Sequence, residues 1–361
     1  MAKRKQRRDE FQDISSYSSK QAYKKNQKKK KRTGLKIFLS FICVILVLVG
    51  GVMIYASTVL LGDLKTTTIT KDKTELGISE ETKSEAGITN IALFGVDARD
   101  YDGGTFAGRS DAIMVMSIDN VHHKVKLTSI MRDVRVYMGD GSPYDSGYDK
   151  LNHAYMYGGP EQAIRTINQN FGLDIQDYVT VNFASMAKIV DAFGGVNIDL
   201  TEDEISEINK NMYALAAESH ESMAGDVSTY APLSAGDGVL LNGDEAVAYG
   251  RIRAIDNDNG RVERQQEVLS ALLSKASSIS KLEYPSIIQQ LAPLCETSLT
   301  FDKMIGLAQI ALTGFYIERL SIPSDVEGYA SDYCEGGGWM WTYDTDVAAQ
   351  HIHEFIYEDE N

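Results

Sequence analysis

A stretch of 25 uncharged residues, Ile37 to Leu61 ("IFLSFICVILVLVGGVMIYASTVLL"), constrains this chain more than any other. A helix of that length crosses the ~30 Å apolar core of a bilayer with some tilt. A cleaved secretion signal has an apolar core of only about 7 to 15 residues followed by a small-residue cleavage site, which the sequence lacks. The stretch is therefore predicted to be an uncleaved anchor. Residues 1–36 hold 14 of the 36 Lys+Arg and 3 of the 51 Asp+Glu, with "KKNQKKKKR" near their end. Basic flanks stay in the cytoplasm, so the remainder is predicted to lie outside the cell. Basic runs also suit nucleic-acid backbones. Beside a predicted span, this one reads as a topology signal and a contact to anionic membrane lipid, and no nucleic-acid partner is expected.

Four regions follow: a basic cytoplasmic tail (1–36), a transmembrane helix (37–61), a polar stalk without sustained period (62–87), and an extracellular domain (88–361) that alternates strand-like and helix-like segments. The predicted fold class is α/β. Cys43 falls in the span, whereas Cys295 and Cys334 both fall outside the cell, where a disulfide persists. The sequence leaves open whether they are bonded, and neither has a metal-type CxxC partner.

With the tail set aside, the other 325 residues carry 22 Lys+Arg against 48 Asp+Glu, a balance of −26. In so acidic a domain, "YGRIRAIDNDNGRVERQ" (Tyr249 to Gln265) places four arginines within fourteen positions. A short helix is predicted from about Gly243, with Arg251 and Arg253 in the turn or extended segment after it. A second helix follows the Asn259-Gly260 break, with Arg261 and Gln265 one turn apart on the same face. A helix N-terminus attracts anions, and arginines gathered there repel its dipole unless an anion sits between them. Guanidinium forks bind phosphate in bidentate fashion, so the cluster calls for a phosphate.

A second group lies upstream. In "TNIALFGVDARD" a buried strand is predicted to end at Asp97, and Ala112 to Ile118 and Val125 to Ile130 read as a hairpin turning near Asp119-Asn120. A hairpin sets the start of its first strand beside the end of its second, which brings Arg109 and Asp111 near Arg132 and Asp133. If the strand before Asp97 runs parallel to the one before Arg132, Asp97 reaches the same edge, with Arg99 and Arg135 close by. Asp97 and Asp111 each abut an apolar strand, where an unpaired charge is costly. Hard carboxylate oxygens of this type suit Mg2+, which completes its shell with substrate phosphates.

Other features are weaker. In "DKLNHAYMYGGP", Lys150, Asn152, His153 and Tyr155 are placed in a loop before a helix starting near Pro160 and ending near Gly172, and His153 reads as a hydrogen-bonded structural residue. His122-His123 reads as solvated, and His351 and His353 do not face one another on a helix. No GxxxxGK[ST] loop, GxSxG elbow or HExxH motif is present, which removes the main support for a nucleotide kinase, a serine hydrolase or a zinc protease.

The ordered series "NIALFGVDAR", "GRSDAIMVMSID", "LTSIMRDVRV", "KLNHAYMYGGP", "VDAFGGVNIDL" and "YGRIRAIDNDNGRVERQQ" resembles the extracellular domain of the LytR-CpsA-Psr family of cell-envelope transferases, from about Thr89 to Ala276. The resemblance implies an α/β/α sandwich with a mixed central sheet. It also implies an activity: a phosphoglycan such as teichoic acid or capsule passes from a polyprenyl-pyrophosphate carrier to peptidoglycan. Asp97 and Asp111 match the family's Mg2+-linked aspartates and Arg132 its pyrophosphate arginine. Arg251, Arg253, Arg261 and Gln265 match its later arginine-rich site, and Asp258 falls where the family often has an acid. Two departures stand out: Met131, where many members have proline, and Thr201 to Gly236, which looks like a variable insertion. The general base is left among Asp111, Asp258 and Asp133. A carboxylate-pair glycosidase built on Asp97 and Asp111, and a non-catalytic lipid-pyrophosphate binder, are the competing readings.

Overall fold

The alternating apolar pattern between Ile88 and Ile130 builds the middle of a mixed sheet. The computed structural model describes residues 65–96, 106, 108–218, 232–256, 258–278, 292–299, 303, 316–333 and 338–358. The predicted span, Asp97, Arg99 and Cys334 lie outside the described residues, among which no helix is long and apolar enough to cross a membrane.

The chain enters the sheet at β1 (Lys65–Thr66), then forms β2 (Ile88–Val96), β3 (Ser110–Asp119), β4 (Lys124–Ile130) and the short β5 (Arg135–Tyr137) and β6 (Tyr148–Lys150). There follow α1 (Leu151–Phe171), β7 (Asp177–Asn182), α2 (Phe183–Ala192), β8 (Val196–Leu200), α3 (Glu202–Glu218), β9 (Gly236–Leu241), α4 (Gly243–Gly250) and α5 (Asp258–Ser278). The last elements are β10 (Glu296–Thr297), β11 (Tyr316–Ile322), β12 (Ala330–Tyr333), β13 (Trp339–Thr342) and α6 (Thr345–Tyr357). The main sheet has the order β1-β10-β7-β2-β3-β4-β11. β2, β3 and β4 are successively antiparallel, while β7 joins β2 and β11 joins β4 in parallel, so the predicted hairpin and the common direction of β2 and β4 both hold.

Period-two alternation sorts the sheet into two apolar faces. Ala92, Phe94, Val96, Ile113 and Val115 share one core with α1 and α6. Leu93, Gly95, Ala112, Met114 and Met116 face the other way, beneath α2, α4 and α5. These are the layers of an α/β/α sandwich.

Three expectations change. The segment read as a stalk belongs to the domain from Lys65 onward: β1 pairs with β10, and Ile69, Leu76 and Ile78 are buried in the core. Those three apolar side chains stand too far apart in a polar stretch to produce a period. The helix expected from near Pro160 to near Gly172 is present, but the stretch read as a loop before it is itself helical from Leu151, and the two segments of α1 join across the non-helical Gly158 and Gly159. Buried Leu151, Ala154 and Tyr155 make the first turns helical, and Pro160 sits just past the kink, where a missing N–H costs nothing. Asn259 and Gly260 lie in the opening turn of α5 rather than in a break before it.

Candidate active site

At one edge of the sheet the end of β2 and the start of β3 stand side by side, Val96 being in register with Ser110. Asp111, the second residue of β3, meets Arg132, two residues past β4. Arg132 Nη1 donates to Asp111 Oδ1 in a short contact and its Nε donates to Asp133 Oδ2 at 2.9 Å. Lys150 Nζ reaches Asp133 Oδ1 at 3.1 Å, and Arg253 Nη2 stands 3.7 Å from Asp111 Oδ2. The Asp111 and Arg132 side chains are only 14% and 17% exposed, against 51% for Arg253. Burial pushes the Asp133 carboxyl up, but the charges of Arg132 and Lys150 outweigh it and hold the group below the usual carboxylate range.

The loop that aims Arg132 is stitched down by backbone bonds. Asn152 N–H donates to the Arg132 carbonyl at 2.9 Å, Trp341 N–H to that of Asp133 at 2.9 Å, and Leu151 N–H to that of Val134 at 3.0 Å. Met131, where proline was expected from the resemblance, donates its own N–H to the Ile322 carbonyl at 2.8 Å. Proline has no such donor, so here the substitution adds an anchor from β11 to the arginine loop.

The later arginine group is organised by two helix ends. α4 is capped at its start by Asn242 and Glu245, which bond each other's backbone N–H, and closes at Arg251. Arg251 lies over the Phe183 ring at 5.3 Å, and Arg253 projects toward Asp111. On α5, Arg261 is buried, and Gln265 Nε2 donates to the Gly250 carbonyl at 3.2 Å, tying the two helices together. Asp258 opens α5.

Arg264, outside the expected set although it belongs to the same stretch, braces this assembly. Its fork holds Asp256 through Nη1–Oδ1 at 3.0 Å and Nη2–Oδ2 at 2.5 Å, and its Nε donates to Glu204 Oε1 at 3.1 Å. Glu204 belongs to α3, so the presumed variable insertion supplies a wall of the site. Its distance of sixty residues in sequence leaves no local signal.

Other expected residues fall nearby without joining the Asp111 pairs. Arg135 stacks on Tyr148, 3.6 Å from the ring centroid. Arg109 is exposed just before β3, close enough for its charge to act on the Tyr157 phenol. Tyr157 and His153 both bond the buried Asp149 carboxylate, at 2.7 and 2.9 Å, which fits the structural reading of His153 and fixes the start of α1. His351 bonds Glu327 and His353 the Phe171 carbonyl. Among the described residues no three His, Cys, Asp or Glu gather as a metal site.

Behind the arginines, between the sheet and α2, α4 and α5, lies an apolar cavity of about 220 Å3. Met114, Val181, Met186 and Val268 are typical of its walls, and Phe183, Gly250 and Gln265 belong to it too, so it adjoins the Arg251 end of α4. Val268 and Leu272, buried aliphatic residues of α5, both line it.

The LytR_cpsA_psr family model matches residues 52–355. The polyisoprenyl-teichoic acid–peptidoglycan teichoic acid transferase TagU of Bacillus mycoides is 29% identical over 316 residues, covering 85% of this chain and 91% of that one. The crystal structure of B. subtilis TagT superposes with a TM-score of 0.55 at 22% identity, over 82% of this chain and 97% of that chain. YwtF (TagT), solved with bound octaprenyl pyrophosphate lipid, gives a TM-score of 0.55 at 21% identity, over 80% and 99%. These likenesses establish a common fold.

Proposed function

This chain belongs to the LytR-CpsA-Psr family, and on that premise we propose that it transfers a phosphoglycan from a polyprenyl-pyrophosphate carrier to peptidoglycan. The names of its relatives support the reaction class, and one observation of this molecule carries the reading. The Arg132–Asp111–Arg253 cluster stands at the sheet edge while Arg251, at the rim of the apolar cavity, lies two residues from Arg253. A prenyl diphosphate has the same two parts, an apolar tail and a dianionic head. A neutral glycoside, by contrast, carries no anion to match the arginines gathered there.

Phosphoryl transfer is mainly a matter of positioning and charge stabilisation. An acceptor sugar hydroxyl forms the new P–O bond to the phosphorus that carries the glycan. The bond from that phosphorus to the bridging oxygen breaks, and polyprenyl phosphate departs. Arg132, Arg251, Arg253 and Arg261 neutralise the charge that gathers on the bridging oxygen. The hydroxyl proton passes to a carboxylate. Asp133, held ionised by Arg132 and Lys150, is a weak base, which leaves Asp111 and Asp258.

The carboxylate chemistry fits Mg2+: Asp111 is a partly buried, hard-oxygen donor at the sheet edge, and magnesium takes one or two carboxylates with phosphate oxygens. Asp111, with Asp97, would hold the ion, which would supply further positive charge toward the diphosphate. The span Ile37–Leu61 would anchor the chain with this domain at the outer membrane surface.

The full chain in detergent, given labelled polyprenyl-pyrophosphate glycan, peptidoglycan and Mg2+, tests the reading. Transfer is expected, and Arg132→Ala should lower turnover about 10²- to 10³-fold, as removal of one charge-stabilising donor does elsewhere. Full turnover in that variant, glycan cleavage without transfer, or binding alone would overturn it.

A further inference from the structure

The chain has only two tryptophans, and both lie on β13, in the hairpin that follows β11. β12 and β13 are antiparallel, with Tyr333 opposite Trp339 and Ser331 opposite Trp341. Opposed residues and residues two apart share a face. Tyr333, Trp339, Ser331 and Trp341 therefore lie on one side, while Met340 is buried on the other. The Trp339 and Trp341 ring centroids are 4.7 Å apart, Tyr329 meets Trp341 edge-on at 5.1 Å, and Tyr333 is 73% exposed. Trp339 and Trp341 are half-buried, Trp341 packing its inner side on the core, while Tyr333 projects into solvent beside them, so the hairpin presents an aromatic edge at the surface.

That surface is continuous with the arginine site. Trp341 N–H holds the Asp133 carbonyl, and Val134 bridges to Trp341. Lys150 Nζ stands 5.7 Å from the centre of the Trp339 ring while it pairs with Asp133, the neighbour of Arg132. Pyranose rings carry apolar C–H faces and polar rims. The C–H groups suit the electron-rich faces of tryptophan and tyrosine, and Ser331 and Lys150 offer hydrogen bonds to hydroxyl and amide groups around them. We propose that Tyr333, Trp339 and Trp341 form a carbohydrate platform for the acceptor, a glycan strand of N-acetylated hexosamines.

The choice of acceptor over donor glycan rests on the transfer reading above and on the layering of the fold. The apolar cavity lies on the α2, α4 and α5 face of the sheet, whereas Trp341 packs against the core of the α1 and α6 face. In an in-line displacement the nucleophile and the leaving group stand on opposite sides of the phosphorus. With the leaving polyprenyl phosphate on the cavity side, the attacking sugar arrives from the hairpin side.

Because both tryptophans lie on the platform, tryptophan emission of the full chain in detergent, excited at the long-wavelength edge where tyrosine does not absorb, reports on this site alone. Titration with a soluble oligosaccharide of N-acetylglucosamine should change the emission saturably. Tyr333→Ala should weaken that response and raise the acceptor KM about tenfold, the size of one aromatic anchor, with kcat and prenyl-pyrophosphate affinity unchanged. Tyr333 is the most exposed of the rings, so its removal leaves the fold intact. Trp339→Phe, which keeps a ring, should retain most of the acceptor affinity. A Tyr333→Ala titration identical to wild type, or no emission change in a chain that binds prenyl pyrophosphate normally, overturns the platform while leaving the transferase reading standing. A response to the lipid-linked donor glycan but not to the free oligosaccharide overturns the assignment to the acceptor. Sugar binding without prenyl-pyrophosphate binding sinks the transferase reading instead.

Discussion

Arg264→Met separates the brace from the chemistry. Arg264 bonds Asp256 twice and Glu204 once from a side chain that is 7% exposed. Methionine keeps much of its length and packing but none of its donors. Asp256 is 37% exposed and returns to water, so its two bonds count as a surface pair worth about 0–1 kcal/mol. Glu204 is 13% exposed and keeps its bonds from Thr201, and losing one charged hydrogen bond there costs about 1.5–3 kcal/mol. The sum, about 2–4 kcal/mol, corresponds to roughly 3–7 °C in Tm for a domain of this size. The segment released, residues 251–256, carries Arg253 to Asp111, so turnover should fall about tenfold while acceptor KM stays put. Arg264→Lys should not rescue, because an ammonium cannot reproduce the fork.

The same variant has a pH signature. Burial pushes the Glu204 carboxyl up, but the Thr201 N–H and hydroxyl and the Arg264 guanidinium more than offset this and hold it below the ordinary glutamate value. A depressed carboxyl contributes stability above its unfolded value and loses it as pH falls through the folded one. The Tm gap between wild type and Arg264→Met should therefore be full at neutral pH and narrow in acid. Thermal unfolding followed by far-ultraviolet circular dichroism, across pH, reads both effects. An unchanged Tm with unchanged turnover at neutral pH would refute the brace.

Two further substitutions probe the layers around the site. Gly243→Ala would place a methyl 2.1 Å from the Ala187 carbonyl oxygen, so α2 and α4 must part at a cost of about 1–3 kcal/mol, and an unshifted unfolding curve would contradict that contact. Met114→Trp should fill part of the cavity and weaken binding of a prenyl pyrophosphate at least about tenfold by calorimetry, whereas unchanged affinity would place the lipid elsewhere.

What the sequence made legible was local. The hairpin from Ser110 to Ile130 follows from alternation and a polar turn, and with it the meeting of Asp111 and Arg132. Arg251, Arg253, Arg261 and Gln265 announce themselves because arginines are conspicuous in an acidic domain. Pairings that depend on distant segments stayed hidden: Glu204 with Arg264, Lys150 with both Asp133 and Trp339, and Met131 with Ile322. Each is a contact between elements that only the tertiary fold brings together, which no periodicity encodes. The burial of Leu76 and the apolar cavity are likewise properties of packing.

The charge balance supports the proposed preference for a lipid-linked diphosphate over a soluble one. Outside the basic tail the chain carries −26, so at a distance its field repels a soluble diphosphate. Close in, Arg132, Arg253 and Lys150 stand around Asp111 and Asp133, a local excess of positive charge. Screening over about 8 Å at physiological salt keeps the two regimes separate. A free diphosphate meets the repulsion with no apolar tail to offset it. A prenyl-linked one gains roughly 25 cal/mol for each Å2 of chain buried in the adjoining cavity, before the arginines contribute anything. In the proposed reaction the acidic surface would disfavour soluble diphosphates, while the arginine cluster would bind the headgroup that the lipid delivers.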